Sequence, residues 1–173
     1  RTVTILGAGA VAGPIAADLC KRGASSVCVI NRTKEKAEYI AEQLKLLYPV
    51  KTYSLEMTKE NLEKMAQKTD LLVQCTTLGA AGHKNDYKDL GFVDKLPDTA
   101  VVADVLYPHT SLLDKAAARG LKTVNGMGML ACQQIAMMKF RFDVDMPDSA
   151  LKEAEEAVCI AVAMRDLRLA QKK

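Results

Sequence analysis

The fold class can be inferred from one short segment, Val3-Thr4-Ile5-Leu6-Gly7-Ala8-Gly9-Ala10-Val11-Ala12. Its first four residues predict a strand buried on both faces, and the apolar spacing from Val11 onward predicts a helix. Between them lies the pattern G-x-G-x-x-G/A. Gly7 allows the tight turn, Gly9 lets backbone approach a pyrophosphate, and the small Ala12 allows the helix to pack closely on the sheet. The helix N-terminus adds unpaired N–H groups. The sequence therefore predicts a dinucleotide site, rather than a purely structural turn, at Gly7, Ala8, Gly9, Ala10, Val11 and Ala12.

Further short apolar runs predict strands at 27–30, 70–73 and 100–103, with weaker strands at 50–54 and 122–124. Runs that are apolar throughout are typical of parallel sheets, whose strands are buried on both faces. Segments with apolar residues every three or four positions separate these runs and predict helices. We therefore predict an α/β fold, a Rossmann-type doubly wound parallel sheet in three layers (αβα), followed by C-terminal helices.

The starts of three later helices can be predicted from single residues. Thr58 is expected to cap one helix, Gly126 to precede a second, and Ser149 to cap the last. The polar stretch 79–97 contains glycines and lacks a clear period, which predicts a long loop with a short helical turn. The last helix is expected to bury an apolar line formed by Leu151, Ala154, Val158 and Ala161.

Length and composition exclude several classes of protein. The chain has 173 residues, which fits one compact domain over residues 1–173. A net charge of +3 is too small to indicate a nucleic-acid partner. No apolar stretch reaches the roughly 18 residues of a membrane span, and the five cysteines form no CxxC pair that would indicate a metal site. We predict a soluble cytoplasmic protein with reduced, buried thiols, no metal and no membrane contact.

The turn after the second strand indicates which dinucleotide binds. NAD-binding domains usually place an acidic residue there to bind the ribose hydroxyls, whereas this chain has Asn31, Arg32 and Thr33, with Lys36 one turn further on. An acid would repel a 2′-phosphate, but Arg32 can pair with it and Thr33 can donate a hydrogen bond. These four residues therefore predict NADP as the cofactor. The alternative is a solvated basic start to a helix.

Five segments occur in an order that resembles the nucleotide-binding half of shikimate dehydrogenases. They are GAGAVA at 7–12, NRTKEKA at 31–37, TTLG at 76–79, DVLYP at 104–108 and GMGMLACQ at 126–133. The resemblance extends from Val3 to the last helix. It implies an oxidoreductase of the shikimate pathway, which supplies aromatic amino acid precursors and in which 3-dehydroshikimate is reduced to shikimate with NADPH.

The resemblance also implies roles for single residues. Thr76, Thr77 and Leu78 would contact the cofactor, and Val105, Gly126 and Met129 would lie near the nicotinamide. Tyr107 and Gln133 would face the substrate. The helical period supports the last role, because Gln133 is the only polar residue on a face with Met129, Ala136 and Phe140, where a buried amide needs a partner. The alternatives are a structural glutamine and a core tyrosine.

The chain also departs from the family pattern. The stretch 104–113 (DVLYPHTSLL) is two residues shorter, Ala10 stands where a third glycine is common, and Asp143 replaces a common glycine. The family's catalytic Lys and Asp belong to an N-terminal substrate domain that has no counterpart here. Because the chain also lacks an initiator Met, we expect a fragment that shares a small-molecule substrate with a missing domain. No catalytic residue is assigned, because His83 and His109 show no nucleophile–base spacing. His109 is interpreted as a surface residue, with a proton donor as the alternative.

Three alternatives stay open at this stage. The substrate could be quinate or a related alicyclic acid, because the loop near Tyr107 is shortened. A reductase of the glutamyl-tRNA type shares a GxG and an NRT-like turn, although the GMGMLACQ segment argues against it. A non-catalytic module that senses NADP is the third alternative, since a fold does not determine a function. A homodimer is one candidate assembly.

Overall fold

The computed structural model describes residues 1–80 and 84–171, so His83 lies outside the described residues. The strands of the described chain are β1 (Thr2–Leu6), β2 (Ser26–Asn31), β3 (Lys51–Glu56), β4 (Leu71–Gln74), β5 (Val101–Asp104) and β6 (Lys122–Val124). The α-helices are α1 (Ala12–Lys21), α2 (Lys34–Leu47), α3 (Lys59–Ala66), α4 (Ser111–Ala118), α5 (Met127–Phe142) and α6 (Ala150–Ala170). A 3-10 helix, Gly91–Lys95, lies within the predicted loop 79–97 and confirms the expected short helical turn.

All six strands form one parallel sheet in the order β3-β2-β1-β4-β5-β6. Val3 lies opposite Val27 on one side and Leu71 on the other, so β1 occupies the middle of the sheet. The chain builds outward from β1 to β3 and then returns to place β4 on the other side of β1. This reversal of direction confirms the predicted doubly wound Rossmann topology and creates a crevice at the carboxyl ends of β1 and β4.

Alternating side chains of the strands form two apolar cores, one on each face of the sheet. Val3 and Ile5 of β1 belong to the core beneath α1 and α2. Leu6 belongs to the opposite core, which also contains Leu62 of α3 and Leu112 of α4. Helices therefore cover both faces, which explains why the strands are apolar throughout and confirms the three-layer architecture.

The three predicted helix starts agree with the structure, because Thr58, Gly126 and Ser149 are the N-cap residues of α3, α5 and α6. Helix α1 begins at Ala12, so Pro14 lies in the first turn, where its missing N–H costs little. The hydroxyl of Thr58 accepts a hydrogen bond of 3.2 Å from the backbone N–H of Asn61 and caps α3. The prediction that Ser149 caps α6 with its side chain is wrong, because Ser149 has helical backbone angles and makes no side-chain cap bond.

The described chain divides into two compact units, Arg1–Val124 and Asn125–Lys173. The first contains the sheet with α1 to α4. In the second, α5 and α6 pack against each other. Asp143 is the C-cap residue of helix α5 and has a φ of 52°. This left-handed conformation favours glycine, the residue expected at this position from the family pattern. The Asp143 carboxylate pairs with Lys139 at 2.8 Å.

One expectation for the second unit is wrong. Leu151 and Ala161 are exposed, so the predicted apolar line of α6 is not buried as a whole. The run 157–164 is apolar on every side of the helix and therefore defines no single buried face.

The expectation that the cysteines are buried holds for only some of them, because Cys28 and Cys75 are buried whereas Cys132 and Cys159 are exposed. Among the described helices, none combines the length and apolar content needed to cross a bilayer.

Gly7 is the position where the fold requires glycine most strictly. Its φ is +104°, and an added Cβ would lie 2.9 Å from Thr76 Cγ2 and 3.0 Å from the carbonyl carbon of Cys75. Gly23 also has a positive φ, +90°, but an added Cβ there would meet no heavy atom within 4 Å. A comparison of substitutions at the two glycines therefore separates the effect of backbone conformation from the effect of steric crowding.

We predict that Gly7→Ala lowers the free energy of unfolding by about 2 to 4 kcal/mol, because conformational strain and overpacking add. Gly23→Ala, the matched control, is expected to cost roughly 1 to 2 kcal/mol from conformation alone. Urea unfolding of both variants measures the difference. Equal losses would show that crowding at the end of β4 does not contribute.

Candidate dinucleotide-binding site

The ends of β1, β2, β4 and β5 meet at one edge of the sheet through backbone hydrogen bonds. Gly7 N–H donates to Ile30 O at 2.8 Å, and Cys75 N–H donates to Leu6 O at 2.7 Å. Val105 N–H donates to Gln74 O at 3.1 Å. These bonds bring together at this edge the predicted residues of the first unit, which are Gly7, Ala8, Gly9, Ala10, Val11, Ala12, Asn31, Arg32, Thr33, Thr76, Thr77, Leu78 and Val105.

The glycine turn has the local geometry that the motif predicts. Gly7 makes the left-handed turn out of β1, and Ala12 is fully buried at the start of α1. An added Cβ at Gly9 would meet nothing within 4 Å, so the space in front of this backbone is open. Open space beside the N-terminal end of a helix of ten residues lets a phosphate approach unpaired N–H groups.

The turn after β2 presents two cations that have no partner within residues 1–80 and 84–171. The Asn31 side-chain amide donates to Thr33 O at 2.8 Å and shapes the turn. Arg32 and Lys36 are exposed, and neither side chain makes an ion pair or hydrogen bond to another described residue. By contrast, the neighbouring Lys34 pairs with Glu38 at 3.0 Å. The turn therefore leaves two positive charges available to an anion.

Thr33 occupies the N-cap position of α2, but its hydroxyl makes no capping bond. That hydroxyl is free to donate to a ligand. An open groove with a volume of about 610 Å³ connects this helix start to the glycine turn. It is lined by Ala8, Gly9, Ala10, Gly13, Glu35, Lys36, Tyr39 and Ile40.

The end of β4 carries a buried polar side chain that the sequence analysis missed. Gln74 is fully buried, and its amide bonds to the turn formed by Thr76, Thr77 and Leu78. The hydroxyl of Tyr87, from the long loop, donates to the same amide oxygen at 2.9 Å. A glutamine that ends the otherwise apolar strand Leu71–Gln74 is the only sequence signal of this arrangement.

A second missed residue is Asp104 at the end of β5, which is only 3% exposed. Its Oδ1 accepts a hydrogen bond from Leu106 N–H at 2.9 Å, and its Oδ2 accepts one from the Thr110 hydroxyl at 2.8 Å. Burial raises the pKa of Asp104 to about 6, against the opposing effect of these two bonds. The carboxylate thus anchors both ends of the loop that carries the half-buried Tyr107.

The remaining predicted residues are in the second unit. Gly126 is the N-cap of α5, and Met129 is 42% exposed. The expectation of a buried Gln133 amide is wrong, because Gln133 is exposed and Phe140 of the same face is 89% exposed. A helical period places residues on one face, but it does not supply the surface that would bury them. His109 is exposed, as expected.

The strand order and the glycine turn define a Rossmann protein with a dinucleotide-type crevice. A family model described as shikimate / quinate 5-dehydrogenase matches residues 1–89, and the chain belongs to this family. This confirms the resemblance drawn from the five sequence segments.

Individual relatives agree with the family. The chain is 33% identical over 155 residues to a shikimate dehydrogenase (NADP(+)) of Alkaliphilus metalliredigens, covering 88% of this chain and 54% of the relative. It is similar to the structure of a shikimate dehydrogenase in complex with NADP⁺, with a TM-score of 0.73, 28% identity, and coverage of 91% and 54%. It is also similar to a ligand-free 5-ketofructose reductase of Gluconobacter sp. strain CHM43, with a TM-score of 0.74, 26% identity, and coverage of 91% and 56%. The chain spans about half the length of the curated relatives it matches.

The raised pKa of Asp104 predicts a stability that depends on pH. Below pH 3.8, the ordinary pKa of an aspartate, the carboxyl group is protonated in both the folded and the unfolded protein. Between 3.8 and about 6 the folded protein binds more protons than the unfolded chain, so the contribution of Asp104 to the free energy of unfolding falls as pH rises. Above about 6 this cost is fully present.

We predict that Asp104→Asn unfolds at a urea concentration less dependent on pH across this window than the unmodified protein. Urea unfolding of both proteins in steps from about pH 4 to 7 measures the change. Parallel pH profiles for the two proteins would contradict the assignment of the proton to Asp104.

Proposed function

We propose that residues 1–173 form the NADP-binding domain of a shikimate dehydrogenase-like oxidoreductase that reduces 3-dehydroshikimate to shikimate with NADPH. The observation that carries the proposal is the pair of unpartnered cations, Arg32 and Lys36, at the same sheet edge as a complete glycine turn in the part of the chain that the structure describes. The name of the Alkaliphilus relative, which includes NADP(+), supports the choice of cofactor.

Each part of the cofactor has a set of residues suited to it. The turn 7–12 would hold the pyrophosphate at the N-terminus of α1, where backbone N–H groups face open space. Arg32, Thr33 and Lys36 would bind the 2′-phosphate through charge-assisted hydrogen bonds, and Asn31 shapes their turn. The turn 76–78 and Val105 would contact the ribose and nicotinamide. When bound, the nicotinamide supplies the hydride, and this chain binds and orients it.

The substrate side of the proposal rests on fewer residues. Tyr107 would face the substrate from the loop that Asp104 anchors, and Gln133, Gly126 and Met129 would contribute from α5. The exposed amide of Gln133 has donor and acceptor capacity for a ring hydroxyl. The catalytic Lys and Asp would come from a separate substrate domain, in keeping with the half of the relatives' length that this chain does not cover. We place the protein in the cytoplasm, without a metal; a homodimer remains one candidate assembly.

Two other substrates or roles have their own support. Quinate, or a related alicyclic acid, is favoured by the shortened 104–113 segment near Tyr107 and by the family model, which names both shikimate and quinate. A sensing module is consistent with a cofactor site in a sequence that has no counterpart of the family's catalytic Lys and Asp. A substrate domain on the same polypeptide would favour the enzyme over the sensor.

We predict that Arg32→Ala removes most of the preference for NADP over NAD. A charge-assisted pair with phosphate contributes about 1.5 to 3 kcal/mol, or roughly tenfold to a hundredfold in affinity. Affinity for NAD should stay nearly unchanged, because the pyrophosphate is held by the glycine turn. Titration of both cofactors into both proteins measures the two dissociation constants.

Arg22→Ala is the matched control, because Arg22 is an exposed arginine at the opposite end of α1 and pairs with Asp18. It should leave both dissociation constants unchanged. Equal affinity of the unmodified protein for NADP and NAD, or an equal loss of both in Arg32→Ala, would identify the turn as a solvated helix start.

A separate prediction concerns the chain by itself. The 173-residue protein should bind NADP but show no oxidation of shikimate, because the family's catalytic Lys and Asp have no counterpart in its sequence. A steady-state assay with shikimate and NADP⁺ at saturating concentrations tests this. Turnover of about 1 per second or faster, which is typical of enzymes, would show that the chain carries its own catalytic groups.

A further inference from the structure

A single buried amide organises the turn after β4. The Gln74 amide oxygen accepts hydrogen bonds from Thr76 N–H at 3.1 Å and from the Thr76 hydroxyl at 2.9 Å. Its NH₂ group donates to Leu78 O at 3.1 Å. Leu78 N–H then donates to the Thr76 hydroxyl at 3.1 Å, so the turn is closed by side-chain bonds. Because Gln74 is fully buried, these bonds are shielded from competition with water.

The long loop supplies the third donor to this amide. The Tyr87 hydroxyl donates to Gln74 Oε1 at 2.9 Å, and burial raises the pKa of Tyr87, so the phenol keeps its proton at neutral pH. Its ring packs on Phe92 with centroids 5.9 Å apart. The loop around it is fixed as well, because Asp86 Oδ1 accepts a hydrogen bond from the Ser111 hydroxyl at 2.8 Å.

The same turn lies against the glycine turn that would hold the pyrophosphate. An added Cβ on Gly7 would be 2.9 Å from Thr76 Cγ2, which shows how little space separates them. A displacement of Thr76 would therefore alter the wall of the crevice where the middle of the dinucleotide would lie. Gln74 is fully buried, and neither Gln74 nor Tyr87 lines the groove beside the glycine turn, so any effect of theirs on the crevice would pass through Thr76 and Leu78.

We infer that Gln74 and Tyr87 are positioning residues that hold the 76–78 turn in the shape needed to bind the dinucleotide. The inference rests on the proposed function, because it names what sets the geometry of that site. The hydrogen-bond network would act on the binding of the part of the cofactor that NADP and NAD have in common. Weakening this network should therefore reduce the affinity for both cofactors by the same factor.

The variant Tyr87→Phe tests the inference with little disturbance. Phenylalanine keeps the ring packing on Phe92, and Gln74 Oε1 keeps its two donors from Thr76, so no buried acceptor is left without a partner. We expect the dissociation constants of NADP and NAD both to rise about threefold or more, on the scale of one lost hydrogen bond, with their ratio unchanged. We also expect faster hydrogen exchange at the amides of Thr76 and Leu78 in the free protein, with core amides unaffected.

Tyr53→Phe is the matched control, because Tyr53 is 51% exposed on β3 and makes no side-chain hydrogen bond to the described residues. It should change neither affinity nor exchange. Gln74→Met, a second variant, removes all the amide bonds and should weaken both cofactors more than Tyr87→Phe does. If Gln74→Met does not fold, Tyr87→Phe still decides the question.

The outcomes separate this inference from the proposed function. If the unmodified protein binds neither cofactor, the proposed function fails, and the exchange rates in the free protein still test the positioning. If it binds NADP but Tyr87→Phe binds both cofactors equally well, with exchange unchanged at Thr76 and Leu78, the inference is overturned. A lower urea midpoint with unchanged affinity would assign Tyr87 a purely structural role and would also overturn it.

Discussion

The close approach of Gly7 to the end of β4 is the constraint on which the candidate site depends. Gly7 donates its N–H to Ile30 at the end of β2, while its missing side chain leaves room for Cys75 and Thr76 at the end of β4. One residue thus joins the two halves of the sheet at the point where the strand order reverses. The constraint is mainly steric, because a single Cβ would collide with backbone that cannot move without shifting β4. The crevice at this edge follows from that contact.

The charges proposed to select a phosphate cost the folded chain little stability. Exposed ion pairs contribute little to stability, so leaving Arg32 and Lys36 without partners among the described residues costs the folded chain little. Glu38, an acid on the same helix, is paired with Lys34 at 3.0 Å. Glu35, in the first turn of α2, also lines the groove, so its charge opposes an anion there. The two cations outnumber this carboxylate, which favours the proposed binding of a phosphate at the turn.

Much of the first unit could be predicted because its signals are local. Each strand is a short apolar run, and the glycine turn is a contiguous motif, so all six strands and the sheet topology follow from the sequence. The pairing of Gln74 with Tyr87 joins residues thirteen positions apart across an irregular loop, and no period or motif connects them. The exposure of Gln133 could not be predicted either, since the helical period says which residues share a face and nothing about what covers it. The missing cap at Ser149 shows the same limit, because residue type alone does not determine backbone angles.

The ends of β4 and β5 solve the same problem with different chemistry. Both strands end in a buried polar side chain that makes hydrogen bonds to the following loop. These bonds satisfy part-buried backbone groups of the loop that would otherwise lack a partner. At β4 the group is an amide, whose hydrogen bonds do not depend on pH. At β5 it is Asp104, whose burial raises its pKa to about 6. Above that pH the ionised carboxylate is an acceptor only, which matches its two donors from Leu106 and Thr110. The turn proposed to hold the cofactor is therefore anchored by a neutral group, and the loop that carries Tyr107 is anchored by one that titrates.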